Sequence, residues 1–123
     1  MSTAPVIALL VGDIHLSAKA PLCRAKEPDW FEAMARPLME LVDLQKQIGK
    51  ESDGIPPILC AGDVFDRWNS PPELINFALE YLPPQMYSIP GQHDLPNHNY
   101  NEIDRSAYWT LVAANKITNV ERK

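Results

Sequence analysis

Short apolar runs alternate along the chain with longer segments in which apolar residues recur at helical spacing. The runs occupy residues 6–11, 58–61, 86–89 and 117–120. Continuous apolar runs bounded by glycine or proline are typical of buried parallel strands. We therefore predict three strands and the start of a fourth, and we expect the first to be central and covered on both faces.

The segment after Asp29 carries the signals of an amphipathic helix. Asp29 can cap its first turn, and Glu32 stands at the capping-box position. One face is apolar and comprises Phe31, Met34, Leu38, Leu41, Val42 and Ile48. Pro37 should kink or restart this helix, and Gly49 should end it.

Two more helices are predicted between the later apolar runs. Ser70 offers a capping hydroxyl, two prolines follow it, and Glu73 can reach back to the cap. Residues 104–115 form the third helical segment. Strands that alternate with helices indicate an α/β fold with parallel pairing and right-handed crossovers, in the order βαβαβα.

Length, charge and cysteine content limit the classes of protein. A chain of 123 residues with 46% hydrophobic content can build one core, so residues 1–123 are interpreted as part of a single domain. A net charge of -5 provides no basic field for nucleic acid. Cys23 and Cys60 form no disulfide pattern, which indicates a reduced, cytoplasmic protein with packing roles for both thiols. The apolar opening is too short for a membrane span.

Each of the first three predicted strands runs directly into a loop of oxygen and imidazole ligands. These ligands are Asp13, His15, Asp63, Asp66, Gln92, His93 and Asp94. Loops at the carboxyl ends of parallel strands share one edge of the sheet, so the side chains can converge. Gly12, Gly62 and Gly91 allow the backbone to turn there. Carboxylate and imidazole together suit Mn, Fe or Zn, and the lack of thiolate ligands argues against a structural zinc site.

Three motifs resemble the calcineurin-like metallophosphoesterases. They are Gly-Asp-Ile-His at residues 12–15, Gly-Asp-Val-Phe-Asp-Arg at 62–67 and Gly-Gln-His-Asp at 91–94. Their order and strand context match that family over residues 6–120. The Val-Phe-Asp-Arg form and the prolines after it are most similar to the Mre11/SbcD DNA-repair nuclease branch.

The resemblance implies two divalent metal ions, for which Mn is expected and Fe, Zn or Mg are alternatives. Asp13 and His15 would bind the first ion, Asp63 would bridge both ions, and Gln92 would bind the second. Two neighbouring cations can polarise a phosphoryl oxygen and activate water for in-line attack.

The resemblance also implies catalytic and substrate-binding roles. His93 would face the scissile phosphate, and Asp66 would orient its imidazole. Arg67 would contact the phosphate. Asp94 is expected to accept hydrogen bonds from loop amides rather than to bind metal, and His98 is expected to be a solvated loop residue.

The sequence departs from the family pattern at two places. Gln92 stands where the family has asparagine, which moves the amide oxygen outward by one methylene. The later Gly-His-x-His segment does not occur before Lys123. We therefore expect an N-terminal portion of the fold without its second sheet, one uncovered sheet face, and weak activity at most.

The predicted function is metal-dependent hydrolysis of phosphate esters, with a phosphodiester in nucleic acid as the expected substrate and DNA as one such substrate. An SbcC/Rad50-like ATPase would be the partner of the full-length nuclease, and no membrane is involved. Nucleotides and phosphoproteins stay open as substrates, because the same ligands serve all three classes. The alternative is a non-catalytic truncated copy or interaction module that binds one metal. A dinucleotide-binding fold lacks support, since neither glycine-rich phosphate motif is present.

Overall fold

The computed structural model describes residues 6–51 and 54–121. The four strands are β1 (Leu9–Val11), β2 (Ile58–Cys60), β3 (Met86–Ser88) and β4 (Ile117–Asn119). The three α-helices are α1 (Trp30–Lys50), α2 (Pro72–Tyr81) and α3 (Ala107–Ala113). Short 3-10 helices occupy Leu22–Arg24, Gln92–Asp94, Pro96–His98 and Tyr100–Arg105. The ends of the predicted domain, at residues 1 and 123, lie outside the described residues.

The strands form one parallel sheet in the order β1-β2-β3-β4. Each strand therefore pairs with the next one along the chain, and each crossover contains a helix. Right-handed crossovers between strands added in sequence order place all the helices on the same face of the sheet. The predicted α/β fold with parallel strands and alternating helices is confirmed.

The two faces of the sheet differ in burial. Ile58 and Met86 point toward the helices and are 0% and 1% exposed. On the other face Leu10, Leu59 and Tyr87 stand opposite one another in register, and Leu10 is 81% exposed. The prediction that the first strand is central and covered on both faces is wrong, because β1 is an edge strand and the helices cover only one face. The expected uncovered face is present.

The predicted cap of α1 is confirmed, because the Asp29 carboxylate accepts a hydrogen bond from the Glu32 amide at 3.1 Å. Met34 and Leu38 are buried against the sheet. The helix runs through Pro37 without interruption and ends at Lys50. A proline inside a helix costs about 3 kcal/mol, which the packing of the remaining turns offsets.

Two helix starts differ from the prediction. Pro71 is the residue before α2, and the Ser70 hydroxyl donates to the Arg67 carbonyl at 2.9 Å instead of capping the helix. The predicted helix over residues 104–115 is divided, because Ser106 is extended and caps α3 by accepting from the Trp109 amide at 3.0 Å. Ser106, two residues inside the expected helix, thus competes with the helical backbone.

The core lies between the helices and the covered face of the sheet. Its fully buried apolar members include Ile58, Val64, Phe65, Leu74, Tyr108 and Leu111. Cys60 packs there as predicted, whereas Cys23 is exposed, so the packing role predicted for Cys23 is wrong. No helix in the described part of the chain is long and apolar enough to span a bilayer.

Candidate metal centre

The loops that follow β1 and β2 are joined by backbone hydrogen bonds. The His15 amide donates to the Asp63 carbonyl at 2.9 Å, and the Leu16 amide donates to the Val64 carbonyl at 2.8 Å. Leu16 and Phe65 form an isolated parallel bridge, and both side chains are buried. The apolar residues after the two Gly-Asp pairs thus hold the polar residues before them side by side.

His15 and Asp63 share an uncommon backbone conformation. Both have φ of 51°, in the left-handed region that non-glycine residues seldom adopt. Gly62 precedes Asp63 with φ of 114°, and a Cβ atom there would lie 2.8 Å from the Gly91 amide nitrogen. Such conformations cost about 1 to 3 kcal/mol each and persist only where surrounding contacts hold them. The paired loops provide those contacts and turn both side chains toward one point.

The Asp63 carboxylate is the centre of a cluster of side chains. Its Oδ2 lies 3.1 Å from His93 Nδ1 and 3.5 Å from His15 Nε2. Its Oδ1 accepts the backbone amide of His93 at 2.9 Å. Asp13 Oδ2 lies 3.6 Å from His15 Nε2, at the edge of the cluster. Side chains from three separate loops therefore meet at the carboxyl edge of the sheet.

The donor atoms of this cluster suit a divalent cation. One atom each from His15, Asp63 and His93 lies within 4.8 Å of the other two. Ligands held about 2.0 to 2.2 Å from a metal are about 2.8 to 3.6 Å apart in octahedral or tetrahedral coordination. The contacts of 3.1 and 3.5 Å fall in that interval. Mixed nitrogen and oxygen donors favour Mn, Fe or Zn.

The electrostatic setting keeps Asp63 ionised. Partial burial acts to raise the pKa of Asp63, but the His93 amide and the two imidazoles outweigh it and lower the pKa overall. The Asp63 side chain is 15% exposed, whereas those of His15 and His93 are 44% and 45% exposed. The cluster is thus open to solvent on the imidazole side.

Asp94 fixes the loop after β3 to the loop after β2. Its fully buried carboxylate accepts hydrogen bonds from the amides of Gly91 at 2.9 Å and of Val64 and Phe65 at 3.3 Å. Burial raises the pKa of Asp94, and these three donors oppose that shift. The expectation that Asp94 binds loop amides is confirmed. Asp94 thereby holds His93 beside Asp63.

The glycines of the three motifs have different roles. A Cβ atom on Gly91 would overlap the Asp63 carboxylate and the Asp63 amide nitrogen, whereas a Cβ atom on Gly12 would meet nothing within 4 Å. Of these three glycines, Gly62 alone has a positive φ. Gly91 therefore provides space for the side chain of Asp63, which the motif pattern alone does not indicate.

Asp66 follows Phe65 in the loop after β2, and it contacts Leu16 and Arg67. Its amide donates to the Leu16 carbonyl at 2.9 Å, and its Oδ2 lies 3.8 Å from Arg67 Nε. Among the described residues no hydrogen bond joins it to His93, whose Nδ1 contacts Asp63 instead. The orienting role of Asp66 toward His93 stays a prediction.

Gln92 stands beside His93 in the short 3-10 helix after β3, and its role as a metal ligand stays a prediction. Gln92 is exposed, and its side chain makes no hydrogen bond to any described residue. His93 occupies the position beside Asp63 that was expected of a metal ligand. Arg67 is 70% exposed, and His98 is exposed as expected.

The family model described as calcineurin-like phosphoesterase matches residues 8–122. No curated protein shows a significant match to the chain. The matched range includes all three motif loops and every residue of the cluster.

Proposed function

The chain belongs to the calcineurin-like phosphoesterase family, a family of metal-dependent hydrolases, and we propose that its Asp63 cluster hydrolyses phosphodiesters. One observation carries this proposal: the Asp63 carboxylate contacts both His15 and His93 while the His15 amide holds its backbone. A structural ion pair would not require two adjacent imidazoles from separate loops at a half-exposed surface.

The residues of the cluster would bind a cation and leave space for a phosphate beside it. His15, Asp63 and His93 would hold a divalent cation, with Asp13 beside them. A bound cation would supply Lewis-acid polarisation of a phosphoryl oxygen and a more acidic water. Asp63 stays ionised and buried on one side, and the half-exposed imidazoles leave room for a phosphate. Mn is the proposed metal on the basis of its ligand preference.

A second cation is part of the same proposal. Gln92 follows directly after Gly91, is exposed, and has a side chain without a hydrogen bond to the described residues. Gln92 and Asp63 would together hold this second ion. The His93 imidazole would then bind either the metal or the scissile phosphate. The resemblance implies the contact with phosphate.

The proposed substrate is DNA, and two cationic side chains in one cleft support this proposal. Lys19 and Arg67 line a cleft of about 370 Å³ next to Asp66, where a neighbouring phosphate of a polynucleotide can bind. An SbcC/Rad50-like ATPase partner and a cytoplasmic location complete the proposal. The partner rests on the resemblance of residues 62–72 to the DNA-repair nuclease branch, and the location rests on the absence of a disulfide pattern in the sequence.

Hydrolysis of bis-p-nitrophenyl phosphate and of single-stranded DNA tests this function. Removal of metal should abolish the weak turnover, and added Mn should restore it. The Asp63→Ala variant should show no turnover with Mn. Asp43→Ala is a matched control, because Asp43 is an exposed carboxylate on α1 outside the cluster. Equal turnover by the two variants would contradict the proposal.

A non-catalytic metal-binding module is the second candidate. His15, Asp63 and His93 form the one potential three-ligand group of histidine, cysteine and carboxylate side chains found within residues 6–51 and 54–121. A single group favours one bound ion over two. Mn binding that depends on Asp63, without hydrolysis of either substrate, would support this candidate over the enzyme.

A further inference from the structure

A groove of about 560 Å³ runs between α1 and α2, away from the metal cluster. A row of aromatic rings forms its floor. The ring centroids of Phe31 and Phe77 are 5.4 Å apart, and those of Phe77 and Tyr81 are 4.8 Å apart. Met39 lies beside this row and is 53% exposed. Exposed methionine and aromatic side chains are frequent at surfaces that bind other proteins.

The rim of the groove is acidic. Glu32 on α1 and Glu73 and Glu80 on α2 are exposed and line it from both sides. Arg36 is the one cationic residue in its lining, and its guanidinium lies 3.4 Å from the carboxylate of Glu27. Three exposed glutamates beside an apolar floor, with the one arginine paired to Glu27, create a negative potential over a surface whose burial is favourable.

We propose that this groove binds a basic amphipathic helix of a partner protein. The apolar face of that helix would pack on Phe31, Tyr81 and Met39, and its lysine or arginine residues would pair with Glu73 and Glu80. A helix laid in a groove between two helices is a common mode of peptide recognition. The ten residues of α2 extend about 15 Å, which matches three turns of a bound helix.

Charge complementarity selects this partner over other occupants. Nucleic acid and anionic lipid surfaces would be repelled by the acidic rim. The residues lining the groove share no member with the metal cluster. The proposal therefore does not depend on phosphoesterase activity, and its test can fail or succeed independently of that function.

Fluorescence anisotropy tests the proposal with a dye-labelled peptide of about 14 residues, with leucine on one helical face and lysine on the other. Glu80→Lys should weaken binding about tenfold, since it replaces attraction by repulsion. The last turn of α2 accepts a cation, so folding is preserved. Met39→Ser should weaken binding about fivefold by removing apolar contact.

Matched controls separate the groove from the rest of the surface. Glu121→Lys makes the same charge change outside the groove, and Leu44→Ser makes a similar apolar change at a 44% exposed residue of α1. Both should bind within about twofold of the parent chain. Equal weakening by controls and groove variants would overturn the proposal.

Two other outcomes would also overturn it. Loss of peptide binding in Leu10→Ser, but not in Met39→Ser, would place the peptide on the uncovered sheet face. Self-association of the chain that Met39→Ser abolishes, together with no saturable peptide binding, would assign the groove to a second copy. Sedimentation equilibrium of the same variants measures that association.

Discussion

Replacement of Gly91 by alanine should disrupt the metal centre without touching a ligand. The added methyl group would overlap both the carboxylate and the amide nitrogen of Asp63. Rotation of the Asp63 side chain cannot remove the second overlap, because the amide belongs to a backbone that the His15 amide holds at φ of 51°. The loop carrying Gly91 or the loop carrying Asp63 must therefore move.

The cost of this movement follows from the contacts that would break. Overpacking a closely packed site costs about 1 to 3 kcal/mol. The hydrogen bond from the His93 amide to Asp63 Oδ1 has an ionised acceptor, and its loss costs about 1.5 to 3 kcal/mol. We expect Gly91→Ala to lower the free energy of unfolding by about 3 kcal/mol and the affinity for Mn by at least about tenfold.

Urea unfolding followed by circular dichroism, and calorimetric titration with Mn, measure the two effects. Gly12→Ala is the matched control, because its methyl group meets nothing within 4 Å, and it should change the free energy of unfolding by less than about 0.5 kcal/mol. Asp63→Gly should recover part of the stability of Gly91→Ala without recovering Mn binding. Equal stability and Mn affinity in Gly91→Ala and Gly12→Ala would refute the proposed close contact.

Three further predictions concern burial. Asp94→Asn should lower the free energy of unfolding by about 2 kcal/mol in urea titrations, since an NH2 group replaces one oxygen that accepts hydrogen bonds from buried N–H groups. An unchanged free energy would show that the Asp94 hydrogen bonds do not stabilise the loops. Iodoacetamide should modify exposed Cys23 and spare Cys60, whose pKa is raised by burial. Mass spectrometry of the folded chain measures this, and modification of Cys60 would contradict its burial. Leu10→Ser should reduce association in sedimentation experiments without loss of stability, whereas buried Ile58→Ser should unfold the chain; equal destabilisation would place Leu10 in a covered position.

The sequence predicted those parts of the fold that depend on local pattern. Apolar runs that end at glycine or proline gave the strands to within a few residues, and the Asp29 cap gave the start of α1. The position of β1 at the edge was missed, because an apolar run shows that a strand tends to be buried but not which elements cover it. Leu10 is apolar and yet 81% exposed, because it lies on the face of the sheet that the helices do not cover.

The candidate site was predictable at the level of loops but not of individual side chains. Parallel strand ends brought Asp13, His15 and Asp63 together as expected. The contact of His93 with Asp63 was not predicted, because it depends on backbone direction within short turns. The left-handed conformation of Asp63 and the bridge at Phe65 set those backbone directions. The residue types in the motifs do not predict either feature.

Titration of the metal-stripped chain with Mn, followed by electron paramagnetic resonance, is the most direct test of the candidate metal centre. We expect saturable binding that Asp63→Ala, His15→Ala and His93→Ala each weaken by at least about tenfold. Asp43→Ala should leave the binding curve unchanged, because that carboxylate lies outside the cluster. Binding that all four variants retain at the affinity of the parent chain would show that Asp63 and the two imidazoles do not hold the metal.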